Sequence, residues 1–291
     1  MPRFVGFRSA LASMVLATAG APAVAPAADD PIGEIYRDYQ VLLERHLIEQ
    51  DLPNDGLVSA FEYEAALEHE ETEELLERQR EVLAEFEPEQ LETREAANAF
   101  WLNAYNFFMI AHILEERPNG ELVDSVWDYG GRINPFRDSV FEQEVFDIGG
   151  QAYSLDEMEK GILLGEAFWE KGWAEARVHF AVNCASVGCP PLRAEVYTAE
   201  NVDDYLTENT RRAFNTERQL HTDGDTLYLS ELFDWYEEDY VREEGSIRSF
   251  IMAYADDEVI EAVEQTDRVR FIDYDWTLNT PEHFPEFDAR R

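Results

Sequence analysis

Lysine is almost missing from this chain: Lys160 and Lys171 are the only two among 23 basic residues, which face 63 acidic ones for a formal net charge of −40. A surface so lopsided repels a polyanion, and nucleic acid is excluded as a partner. The acids are spread along the chain and not gathered into one tail, so the charge is read as adaptation to a saline environment and not as a docking site for a basic partner. Cysteine is just as scarce, with Cys184 and Cys189 alone. Beyond the N-terminal stretch there is no long apolar run, no low-complexity linker and no repeat period. No membrane span is expected, and one large domain is the default.

What stands at the N-terminus has the build of a secretory signal peptide. Arg3 and Arg8 precede an apolar run from Ala10 to Ala19, then Gly20, Pro22 and small residues ending Ala25-Pro26-Ala27-Ala28. No cysteine lies there to take a lipid. The reading is a signal peptide at residues 1–28, a single domain at 29–291, and a periplasmic or secreted location.

Most of the chemically interesting side chains lie in Arg177-Val-His-Phe-Ala-Val-Asn-Cys-Ala-Ser-Val-Gly-Cys-Pro-Pro-Leu192. Val178, Phe180 and Val182 alternate with His179, Ala181 and Asn183, which predicts a strand presenting His179 and Asn183 on one face. Small residues then make a turn from Cys184 to Cys189, and Pro190-Pro191 end any strand there. This stretch resembles the core motif of the family of domain of unknown function 547. Phe100-Trp-Leu-Asn-Ala-Tyr-Asn106 is similar to a second signature of that family. Leu229-Ser230 with Phe233-Asp-Trp-Tyr236 and Asp239-Tyr240 looks like a later helix of it, and Tyr274-Asp-Trp-Thr-Leu-Asn279 like its closing strand. Where the family pattern has an acid followed by histidine, this chain has Glu159 followed by Lys160, which takes a histidine at 160 out of consideration.

The helical periods are clearest over 32–48, 60–86 and 91–116. In the last of these Ala96, Phe100, Asn103, Phe107 and Ile110 share a face, so Asn103, and Asn106 near it, point two amides into the core. Asp51 to Glu62 invites a calcium-loop reading, but Pro53 has no side-chain oxygen for the third position, and a plain turn is expected. Ser154 caps a short helix carrying Glu157 and Glu159. Further helices over 202–214, 232–240 and 246–263 enclose strands at 226–229 and 269–274. The fold class expected is α+β, a mostly helical single domain with a small, largely antiparallel sheet.

Two functions compete. In the first, the protein is a thiol-dependent acyl hydrolase or transferase acting on a small-molecule or peptide substrate: Cys189 attacks, with Cys184 as the other candidate or a resolving thiol, His179 relays the proton, and Asn103 or Glu159 orients the imidazole. Gly188 and the two prolines favour Cys189 for the attack. In the second, the protein is a non-catalytic extracytoplasmic binding or scaffold protein in which Cys184 and Cys189 form a disulfide. A redox role ranks third, because the spacing is not that of Cys-x-x-Cys. No cofactor is called for. His179, Cys184, Cys189 and Glu159 could supply zinc ligands, but without a second Cys or His pair no bound metal is expected.

Overall fold

The computed structural model describes residues 31–130 and 139–290; the signal peptide expected at residues 1–28 lies outside them. Helices α1 (Pro31–Ile35) and α2 (Arg37–His46) lead into a hairpin of β1 (Leu47–Asp51) and β2 (Leu57–Phe61). Helices α3 (Tyr63–Glu68), α4 (Thr72–Glu85) and α5 (Arg94–Glu115) follow, then a hairpin of β3 (Phe146–Ile148) and β4 (Gln151–Tyr153). Next come a π-helical turn (Glu157–Leu163), α6 (Glu166–Lys171) and a 3-10 turn (Ala176–Phe180). The rest of the chain forms α7 (Val202–Phe214), β5 (Leu220–Asp223), β6 (Thr226–Ser230), α8 (Leu232–Trp235), α9 (Glu237–Glu244), α10 (Ile247–Tyr254), α11 (Asp257–Glu264) and β7 (Arg268–Ile272).

Helix α5 is the axis of the molecule. Thr93 caps it, its side chain accepting the Ala96 N–H at 3.2 Å. The periodicity predicts one apolar stripe, yet every residue from Ala97 to Leu114 is buried. The reason is that Trp101, Leu102, Tyr105, Phe108 and Met109 fill the remaining faces, and a helix apolar on all sides is sheathed by its neighbours. The helix expected over 60–86 is interrupted. Val58 and Ala60 of β2 pack with Val187, Phe284 and Phe287, and α3 and α4 begin only after that strand, so long-range packing overrides local propensity.

The α+β expectation holds, with the strands shared among three small sheets. β1–β2 and β3–β4 are antiparallel pairs. β5 and β6 are antiparallel around Gly224, whose φ is +59°, and β7 lies parallel to β6 with Arg268 opposite Thr226. Two of the three hydrophobic clusters among the described residues frame the site. One surrounds α5, and the other gathers Phe214, Phe233, Tyr240 and Phe250 between α7 and the later helices. The 3-10 turn runs along the seam: Val178, Ala181 and Val182 belong to the first cluster, Ala176 and Phe180 to the second.

Candidate active site

That seam explains why the strand expected at His179 is not formed. Alternating apolar residues predict a strand when one side faces water, but here both sides are core, and the segment curls into a 3-10 turn with no partner strand. Asn106 secures its exit, donating from Nδ2 to the Ala181 carbonyl at 2.9 Å and accepting the Asn183 N–H on Oδ1 at 2.8 Å. Asn183 in turn donates to the Pro190 carbonyl at 2.9 Å and accepts from Ala185 N–H at 2.9 Å and from Asn279 Nδ2 at 3.2 Å. Three amides thus tie the two ends of the cysteine turn together. Each would cost about 1–3 kcal/mol if left unpaired in this buried place.

Within the turn Ala185 has φ +59°, a left-handed conformation that a residue with a Cβ adopts at a cost of about 1–2 kcal/mol, directly after Cys184. Residues 274–279 clamp the other edge: Val187 N–H donates to the Thr277 carbonyl at 2.9 Å and Gly188 N–H to that of Asp275 at 2.8 Å. A Cβ at residue 188 would stand 2.9 Å from the Tyr274 ring, so only glycine allows this approach. The Tyr274 hydroxyl thereby reaches both sulfurs, 3.2 Å from Cys184 Sγ and donating to Cys189 Sγ at 3.1 Å.

Both cysteines are free thiols, so the disulfide considered from the sequence is not formed here. Their environments differ. Cys189 is 7% exposed and its sulfur already accepts the Cys184 N–H at 3.0 Å; burial, followed by the neighbouring Cys184, pushes its thiol well above the ordinary cysteine value. Burial acts on Cys184 too, but hydrogen bonds with Cys189, Tyr274 and Ser186 outweigh it and hold that thiol below the ordinary value. Cys189, the thiol preferred from the sequence, is thus the more deeply buried of the two, and its pKa is pushed up where that of Cys184 is pushed down.

His179 is 1% exposed. Its Nε2 lies 2.9 Å from Asp239 Oδ2, and Tyr236 stacks on the ring at 3.9 Å between centroids. Nδ1 has no hydrogen-bond partner, the closest carboxylate oxygen being Glu159 Oε1 at 3.5 Å. Burial lowers the imidazole pKa, but Asp239 and Glu159 more than offset it and the net shift is upward. Glu159 is buried in the π-helical turn, which Gly161 and Gly165 permit: a Cβ on Gly165 would collide with the Gly161 carbonyl. The Asn103 amide is bonded to the Tyr197 backbone and not to His179: it closes on that backbone in both directions, at 2.7 and 2.9 Å, one helical turn short of the segment that holds His179.

Cys184, Cys189, His179, Glu159, Asp239 and Tyr274 all border one cleft of about 1000 Å³. A thiol of lowered pKa and an imidazole held between two carboxylates, both bordering one cleft, are the parts of a nucleophile and its proton carrier. Asp239 and Tyr274 are the residues that sequence reasoning missed. Both lie inside motif segments already singled out, where they pass for scaffold. Among the described residues no group of three or more His, Cys, Asp or Glu side chains is disposed to hold a metal ion, and no helix is long and apolar enough to cross a membrane.

No curated protein and no solved structure matches the chain. Residues 88–213 match the model of the family described as "Protein of unknown function, DUF547". That span takes in two of the four motifs, Phe100–Asn106 and His179–Leu192, while Asp239 and Tyr274 lie beyond it. The sequence resemblance and the family match thus agree over residues 88–213, the segment that supplies Glu159, His179 and both thiols of the cleft.

Proposed function

We propose that this protein is a thiol-dependent acyl hydrolase or transferase in which Cys184 is the nucleophile, His179 carries the proton and Asp239 positions His179. The observation that supports this reading most is the pairing, in one cleft, of the lowered thiol pKa of Cys184 with an imidazole whose Nε2 is held by a carboxylate and whose Nδ1 is left without a hydrogen bond. The Cys184 thiolate adds to the substrate carbonyl, forming an S–C bond while the carbonyl electron pair moves to oxygen. Collapse of that adduct breaks the bond to the leaving group, which takes a proton from the His179 imidazolium, and leaves a thioester. The now neutral imidazole accepts a proton from water, or from an acceptor amine or alcohol, as that nucleophile cleaves the thioester and returns the Cys184 thiolate. The raised pKa of His179 suits the first half of this cycle, in which it must be protonated at neutral pH. Tyr274, whose hydroxyl burial keeps protonated, supplies a donor to the sulfur throughout.

Residues 1–28 support an extracytoplasmic location, and the dispersed acidic surface supports a saline one. The test is labelling with an acyl fluorophosphonate-free, thiol-directed probe such as an acyloxymethyl ketone. Wild-type protein and Cys189→Ala should be labelled, Cys184→Ala should not, and His179→Gln should be labelled at least about tenfold more slowly, the scale of lost proton transfer. Undiminished labelling of folded Cys184→Ala would remove Cys184 as the nucleophile and give that role to Cys189, and no labelling of the folded wild type would leave the non-catalytic binding protein as the better reading.

A further inference from the structure

One wall of the cleft is a run of aromatic rings that the catalytic reading does not use. Phe141 meets Trp127 edge-on at 5.8 Å, Trp127 meets Trp276 at 4.9 Å, and Trp276 lies parallel to Trp235 at 5.6 Å with 21° between the planes. Tyr274 closes the run at 4.6 Å from Trp276, and its hydroxyl touches both sulfurs. Half of the six tryptophans of the chain stand on this wall, and Trp235 is 42% exposed although its ring is part of the stack. An aromatic surface left open in this way, leading to a reactive group, is built for a ligand and not for the core.

Carboxylates outnumber the cations around it. Lys160 is the one lysine or arginine bordering the cleft among the described residues, and Asp156 pairs with it at 2.8 Å. Glu159 and Asp239 are engaged by His179. Two further carboxylates, Glu142 and Glu238, border the cleft with no ion pair among the described residues. The Glu142 carboxylate accepts from both the N–H and the hydroxyl of Ser139, at 3.0 and 2.7 Å, which lowers its pKa and keeps it ionised. The wholly buried His179 borders the same space, with its Nδ1 3.5 Å from Glu159 and its Nε2 2.9 Å from Asp239.

Building on the thiol-acyl reading, we propose that the cleft selects acyl substrates bearing a cationic group, an ammonium or guanidinium, held against the Trp235–Trp276 face by cation–π attraction and opposed by Glu142 and Glu238. Aromatic faces and carboxylates together favour a desolvated cation over a neutral group of the same size, and they disfavour an anion on both counts. A substrate carboxylate or phosphate is rejected.

Three chloroacetamides of matched size test this, carrying a trimethylammonium, a tert-butyl or a sulfonate group. Alkylation of Cys184, followed by mass spectrometry, should be at least about tenfold faster for the cationic compound than for the neutral one, and slowest for the sulfonate, consistent with cation–π energies at partly desolvated sites. The Glu142→Gln/Glu238→Gln double variant should lose most of that preference, whereas Glu64→Gln/Glu73→Gln, on the distant and exposed surface of α3 and α4, should retain it. Equal loss in both variants would assign the preference to the overall charge and overturn the proposal, and so would equal rates for the three compounds. Binding is read separately. The unreactive trimethylammonium acetamide should quench tryptophan fluorescence saturably in Cys184→Ala, and its tert-butyl counterpart should not. If no chloroacetamide reacts at Cys184 but this quenching is seen, the thiol reading fails while the cation site stands; if quenching is the same for both, the cation site fails whatever the thiol does.

Discussion

Tyr274 lends one hydroxyl to two sulfurs, and the direction of that sharing matters. While it donates to Cys189, the thiol of Cys184 can donate to the Tyr274 oxygen; when Cys184 ionises, the same hydroxyl can turn to it, so the thiolate gains a donor without any heavy atom moving far. His179 is the second residue whose protonation is coupled to the fold. Its folded pKa is raised above the ordinary value of 6.5, so the folded state binds the proton more tightly than the unfolded one. The stability that comes from this pairing is present in full below the unfolded value and is lost as pH rises through the higher folded value. The melting temperature of His179→Gln should therefore fall furthest below wild type near about pH 5.5 and approach it near about pH 9. A gap that stays constant across that range would mean that the imidazole is neutral in the fold. Neither Asp239 nor Tyr274 was legible as a partner from the sequence. They stand 60 and 90 positions from the groups they touch, and spacing patterns carry information over a few turns of chain only.

Helix α5 was legible because a cap, a period and a terminating Pro-Asn-Gly agree along 22 residues. Its all-round burial was not, since the elements that cover its outer faces come from distant parts of the chain. The same limit misread residues 176–183, where alternation of apolar side chains came from two cores and not from one buried face. The amides of α5 separate stability from reactivity. Asn106→Ala removes two buried hydrogen bonds to the segment between His179 and Cys184, and Asn103→Ala removes two to Tyr197. Each should cost about 1–3 kcal/mol of unfolding free energy, measured by urea denaturation. Only Asn106→Ala should also slow alkylation of Cys184. If Asn103→Ala slows it as much, the amide at 103 shapes the site after all.

For the molecule as a whole the formal net charge of −40 opposes compaction. Many arginines are paired with acids at the surface, yet with 23 bases for 63 acids most carboxylates have no cation to meet. Raising sodium chloride from about 0.05 to about 1 M shortens the screening length from more than 10 Å to roughly 3 Å. The melting temperature at pH 7 should climb by several degrees, and a flat or falling curve would argue that the charge pattern is unrelated to salt. The seam between the two clusters carries a different implication, for how the chain can be divided. Phe180 stacks with Phe250 and meets Phe214, Phe233 and Tyr240, so the residue that follows His179 has all four of these aromatic neighbours beyond position 213. A fragment cut to residues 88–213 would bare Phe180 to water and lose Asp239 and Tyr274 with the same stroke. Residues 88–213 are therefore not a unit of folding by themselves, because the packing and hydrogen-bond partners of His179 and Phe180 come from the chain that follows.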